Sequence, residues 1–157
     1  MPHEATPART PSRLRFVVAG GGIAGTSLAL ALATALGDRA EVEICDPAIA
    51  RDPRGDRRAG VWEAVAAQAQ PMTDMVVTDS RLHDAVRPVF LTFDGEVEPG
   101  EPFAHMVESG ALAGALTEAC RERGVVLTAQ AVSRFSAGAT AVEVDLADGG
   151  RRRAALL

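Results

Sequence analysis

The stretch Phe16–Gly37 reads "FVVAGGGIAGTSLALALATALG" and decides the fold. A short apolar run meets three consecutive glycines, and a long Ala/Leu segment follows. Leu14–Ala19 has the pattern of a strand buried on both faces. Gly20–Gly22 break it. Ile23–Leu36 reads as a helix of good formers, with Gly37 as its C-terminal stop. Glu41–Cys45 ("EVEIC") is a second strand. Strand, helix and strand in about 30 residues make a βαβ unit, whose crossover is right-handed and parallel.

Within this unit Gly20, Gly22 and Gly25 spell G-x-G-x-x-G at the strand-to-helix junction. In a dinucleotide site the first glycine permits the tight turn. The second leaves room for a pyrophosphate, and the third lets the helix lie close to the sheet. The helix start at Ile23 and Ala24 then offers free N–H groups and a partial positive charge to the phosphates. Ala29 and Ala33 continue from Gly25 at spacing four, so three small residues share the stripe that faces the strands. Asp46 follows the second strand, 21 residues beyond Gly25, where a carboxylate can accept hydrogen bonds from an unphosphorylated adenosine ribose. These residues point to dinucleotide binding without separating NAD from FAD.

The rest of the chain fits one domain. Its 157 residues can bury roughly 70% of the unfolded surface. The net charge of −5 argues against a broad nucleic-acid surface. All 16 basic residues are arginine, a compositional bias without functional weight. Cys45 and Cys120 form no CxxC, which suggests a reducing, cytoplasmic compartment and small core residues. His3, His83 and His105 show no metal-ligand spacing with them. Residues 1–13 read as a disordered leader, with residues 14–157 as the folded domain. Asp46–Gly60 reads as a loop, Val61–Ala69 as a short helix whose Trp62 packs onto the sheet, and "MTDMVVTDS" and "VFLTFDG" as strands. Ser109 is expected to cap a helix over Ser109–Arg123, with Leu112, Leu116 and Ala119 on one face. "VVLTA" begins another strand. Gln130–Leu157 alternates like a β-meander, with "RRR" at Arg151–Arg153 as strand-edge charge.

Further stretches occur in a telling order: "DRRA" (Asp56–Ala59), "GVWEAV", "AQPMTDMVVTDS", "HMVESGALAGAL" and "RGVVL". In this the chain resembles the flavin-dependent aromatic-ring hydroxylases of the ubiquinone-biosynthesis group, from about Arg15 to the last residue. The resemblance implies a Rossmann-like FAD-binding α/β domain, with a parallel sheet and an antiparallel β-meander. It implies FAD as cofactor, NAD(P)H as co-substrate, and an aromatic, polyprenylated small-molecule substrate, with contact to the inner membrane as a peripheral possibility. Carried over by position, Asp46 holds the ribose, Arg58 sits by the FAD, and Glu108 and Ser109 lie near it at their helix start. A guanidinium at Arg58 suits a pyrophosphate.

Two departures stand out. Ala59 is followed at once by Gly60-Val61-Trp62, where the family inserts roughly three helical turns. The family also continues past "ALL" into a glycine-aspartate motif and a substrate-covering sheet. The chain thus reads as the N-terminal part of a larger enzyme, and the isolated polypeptide is not expected to hydroxylate anything. An NAD-dependent Rossmann oxidoreductase and a non-catalytic dinucleotide-binding module stay open as alternatives.

Overall fold

A computed structural model describes residues 13–49, 60–79, 83–94 and 96–157. The expected leader, apart from Arg13, and Arg58 lie outside the described residues. The fold is mixed α/β. β1 (Leu14–Ala19) leads through the glycine bend into α1 (Ile23–Leu36), and β2 (Ala40–Cys45) follows. α2 (Val61–Val65) precedes the short strands β3 (Gln70–Met72), β4 (Asp74–Thr78), β5 (Val89–Asp94), β6 (Glu96–Glu98), β7 (Glu101–Pro102) and β8 (Ala104–Met106). α3 (Ser109–Glu122), β9 (Val126–Thr128), β10 (Val132–Ala137), β11 (Val142–Leu146) and β12 (Arg151–Ala154) complete the chain.

The central sheet is parallel, in the order β1-β2-β9. Its strands alternate between two cores, as the period of two requires. On one face Val18, Val42 and Ile44 pack with Ala29 of α1 and Cys120 of α3. On the other, Val17 and Cys45 pack with Val144, Leu146 and Ala154 of the antiparallel sheet β10-β11-β12. The parallel sheet is therefore covered by helices on one side and by a meander on the other, which explains why β1 carries apolar side chains at the successive positions Phe16, Val17 and Val18.

The small-residue stripe of α1 works as spacing predicts. Ala29 is fully buried, and Ala33 packs against the helical-face core. Thr26, also fully buried, returns its hydroxyl to the Gly22 carbonyl at 2.9 Å, while its own carbonyl accepts a hydrogen bond from the Cys120 thiol at 3.3 Å. The latter joins α1 to α3.

Four local expectations are corrected. Ser109 does not cap α3: Glu108 is the N-cap residue, in extended backbone, with no side-chain cap. The cap position is set by where the chain leaves the extended conformation, one residue earlier than the hydroxyl. Trp62 is not buried, and the strand it meets is β8 rather than one of the central sheet. The tryptophan is half exposed and meets His105 edge-on, with ring centroids 4.9 Å apart, while Val65 supplies the buried contact of α2. Arg152 is not an edge charge. Alternation along β12 turns it inward, away from Arg151 and Arg153, to the buried carboxylate of Glu43. Finally, the meander ends at Ala154. Leu156 bridges Phe16 in parallel, with the Ala155 N–H on the Arg15 carbonyl at 2.7 Å and the Val17 N–H on the Leu156 carbonyl at 3.1 Å. The last residues thus extend the parallel sheet beside β1.

Both cysteines are buried and free, and burial pushes each thiol up to about 11. They stay protonated at neutral pH and unreactive. Titration with an aromatic disulfide reagent at pH 8 is expected to modify neither in the folded chain and both after unfolding. Among the described residues, no helix is long and apolar enough to cross a membrane.

Candidate dinucleotide site

Gly20, Asp46 and Thr128 meet at the carboxyl ends of the parallel strands. Hydrogen bonds prolong the ladder there: the Gly20 N–H donates to the Cys45 carbonyl at 3.0 Å, and the Asp46 N–H to that of Thr128 at 3.0 Å. In open α/β sheets this is the end at which ligands bind.

The three sequence-assigned glycines differ physically. Gly20 adopts φ +110°, a conformation that favours glycine. A Cβ on Gly22 would meet nothing within 4 Å, whereas one on Gly25 would run into the Gly20 carbonyl oxygen. Gly22 therefore faces open space, and Gly25 is the point of closest packing between helix and bend. Gly22 is also the N-cap of α1, and the first turn holds neither a side-chain cap nor an acidic residue. The N–H groups of that turn, at Ile23 and Ala24, have no intrahelical acceptor.

Asp46 faces the same space. With Gly21, Gly22, Ala48 and Ile49 it lines a crevice of about 300 Å³. The opposite wall is α3, through Gly110, Ala113, Gly114 and Thr117. The Asp46 carboxylate accepts the Gly21 N–H at 2.8 Å on Oδ2 and the Ala48 N–H at 2.6 Å on Oδ1. These two bonds, the Gly21 one foremost, hold its carboxyl below the ordinary value of 3.8, so it is an anion at neutral pH. Two of its roughly four acceptor directions remain for a ligand.

Sequence reading missed Gly21 and the α3 wall. A Cβ on Gly21 would come within 2.8 Å of Ile49 Cδ1 and 3.1 Å of Asp46 Cβ. The signal was the third glycine of a run whose pattern needs only two. On α3, small residues at positions 110, 113, 114 and 117 follow helical spacing, and they were legible as a stripe without a partner. Glu108 and Ser109 are exposed at the start of α3 and do not line the crevice, although Gly110 beside them does.

A larger hollow of about 440 Å³ lies at the other end of the sheet. It carries no chemistry of this kind: Arg123 donates to Thr34 Oγ1 at 3.1 Å, and Arg13 pairs with Asp38 at 3.6 Å. Among the described residues no group of His, Cys, Asp and Glu could hold a metal ion.

No family model and no curated protein matches the chain. Solved structures do match its backbone. The Diels–Alderase PyrE3 of pyrroindomycin biosynthesis aligns at TM-score 0.65 and 19% identity, over 90% of this chain and 31% of that one. A variant of the halogenase PltM, solved in complex with FAD, aligns at TM-score 0.61 and 16% identity, over 92% of this chain and 34% of that one. FqzB aligns at TM-score 0.61 and 16% identity, over 94% and 37%. The chain spans about a third of the length of these proteins, and likeness at such identities is a likeness of fold.

Proposed function

We propose that the crevice holds the ADP half of FAD and that the chain is the cofactor-binding N-terminal portion of a flavin-dependent enzyme. One observation carries this reading: the bend at Gly20–Gly25 is open over Gly22, and the Asp46 carboxylate lines the same crevice. The fold shared with a halogenase solved with FAD supports flavin over a bare nicotinamide site. On the resemblance in "AQPMTDMVVTDS" and the "VES" helix start, we propose further that the enzyme is an aromatic-ring hydroxylase of the ubiquinone-biosynthesis type.

The residues fit the group. The diphosphate would sit over Gly22, against the N–H groups of Ile23 and Ala24, where the helix dipole favours an anion. The adenosine ribose would donate its hydroxyls to the free acceptor directions of Asp46. Arg58 is proposed as the counter-charge on the resemblance, and among the described residues that line the crevice there is no arginine. Bound FAD would supply the redox chemistry by which NAD(P)H and O₂ hydroxylate a ring. Among the described residues the crevice offers Asp46 and Thr117 as polar side chains, and the Thr117 hydroxyl is committed to the Ala113 carbonyl at 2.8 Å. Its task is binding and orientation.

The test is titration with FAD, read by quenching of flavin fluorescence, beside titration with NADH. Tight FAD binding supports the reading, NADH binding without FAD binding supports a plain nicotinamide oxidoreductase, and binding of neither refutes both. Gly22→Val is expected to weaken FAD by at least tenfold, about 1.4 kcal/mol, by filling the open space without touching the core. An unchanged affinity would place the diphosphate elsewhere.

A further inference from the structure

We infer that Asp46 is a positioning residue for the diphosphate as well as a holder of the sugar: its carboxylate fixes the shape of the glycine bend. This rests on the dinucleotide reading above and goes beyond the ribose contact.

The bend is held at two successive residues. From β2, the Cys45 carbonyl accepts the Gly20 N–H at 3.0 Å. One residue later, the Gly21 N–H is committed to Asp46 Oδ2 at 2.8 Å. The Gly21 N–H is therefore a tether within the protein and is not offered to a phosphate. The second carboxylate oxygen is fixed in turn by the Ala48 N–H at 2.6 Å. The Asp46 side chain thus links the bend to the turn after β2, and that turn is anchored by Ile49, which is buried in the core on the helical face.

Gly21 shows how tightly the two segments are pressed together. A Cβ there would reach 2.8 Å from Ile49 Cδ1 and 3.1 Å from Asp46 Cβ. The next residue, Gly22, has no neighbour on its Cβ side and opens the α1 N-terminus to a ligand. The tethered N–H and the open position are adjacent along the chain. Removing the carboxylate leaves the Gly21 N–H without its acceptor and frees the bend to move relative to the first turn of α1. The donors that would meet a diphosphate then lose their common geometry.

The sign of the effect separates this role from charge alone. Asp46 is an anion beside a proposed diphosphate site. If it acted only through its charge, its removal would relieve repulsion and strengthen the diphosphate's contribution. If it acted only on the ribose, adenosine and ADP would weaken by the same factor. The positioning role requires that ADP weaken more than adenosine.

The experiment measures the dissociation constants of adenosine and ADP for the wild-type chain, Asp46→Ala and Asp46→Asn, with circular dichroism to confirm that each variant is folded. The quantity read is the ratio of the adenosine constant to the ADP constant, which isolates the diphosphate. We expect this ratio to fall about tenfold in Asp46→Ala, the usual effect of losing a hydrogen bond to a charged group. In Asp46→Asn the amide oxygen keeps one N–H partner, and the ratio is expected to fall to an intermediate value. That variant preserves size and remains informative if Asp46→Ala fails to fold. A ratio that stays constant or rises in both folded variants overturns the inference and leaves the dinucleotide reading intact. Failure of the wild-type chain to bind ADP refutes that reading, and the inference falls with it.

Discussion

Replacing Glu43 by alanine is expected to destabilise the chain by about 3 kcal/mol, measured by urea unfolding at pH 7. Glu43 is 3% exposed and stands on β2, facing the meander. Arg152 Nε donates to both of its oxygens, at 3.0 and 2.9 Å, and the Thr128 hydroxyl donates to Oε1 at 2.7 Å. One carboxylate thereby joins β2, β9 and β12. Its loss would strand a guanidinium and a hydroxyl between two sheets, and breaking a buried pair costs ~3–5 kcal/mol. We expect the lower end because the Arg152 side chain keeps 29% of its exposure and can recruit water. Replacing both partners by leucine should recover most of the loss, since a well-packed apolar pair needs no compensation. A loss below about 1 kcal/mol in Glu43→Ala would show that the pair contributes no more than a surface contact.

The same site sets a pH dependence. Burial alone would push the Glu43 carboxyl up, but the hydrogen bonds from Arg152 and Thr128 together with the charge of Arg152 outweigh it and hold the group below its ordinary 4.5. A carboxyl depressed in the folded state stabilises the fold above its unfolded value, and that contribution fades as pH falls through the folded value. The stability gap between wild type and Glu43→Ala should therefore be full at neutral pH, begin to narrow as pH falls below about 4.5, and be lost once pH has fallen through the lower folded value.

Local pattern made the βαβ unit and its glycine bend legible and left the Glu43 cluster hidden, for physical reasons. A turn that needs glycine, a helix stripe that needs small residues and an acid after the second strand are all encoded within about 30 neighbouring residues. Gly20, Gly25, Ala29 and Asp46 could be placed that way. Arg152 and Glu43 are 109 residues apart, and nothing near either names the other. Alternation along "RRR" does say that Arg152 faces away from its neighbours. It does not say which face is inward, because arginine is usually on the outside. Trp62 misled for the opposite reason: a large apolar ring predicts burial, yet an amphipathic ring is also stable at a surface against another ring. The pairing of Leu156 with β1 escaped notice because a parallel partner lies far away in sequence.

The last two glycines of the motif, Gly22 and Gly25, should part company when each becomes alanine. In an isolated helix Gly25→Ala would gain about 1 kcal/mol. Here the new Cβ would overlap the Gly20 carbonyl oxygen and stand 3.3 Å from Val18 Cγ1. That oxygen cannot easily turn away, because Gly20 already sits at φ +110° with its N–H on the Cys45 carbonyl. Relief requires lifting α1 off the sheet, where Ala29 is fully buried. Overpacking of this kind costs ~1–3 kcal/mol and occasionally more, and with a backbone atom as the obstacle we expect a net loss of about 3 kcal/mol in thermal or urea unfolding. Gly22→Ala meets nothing within 4 Å and keeps an ordinary φ of −73°. Its stability should stay within about 1 kcal/mol of wild type, the usual range for a change of N-cap residue. Ligand affinity should nevertheless fall in both variants, in Gly25→Ala because the bend moves and in Gly22→Ala because the space is taken. Equal stability of the two variants would mean that helix and bend are not in contact at Gly25, and the distinction between a packing glycine and a binding glycine would collapse.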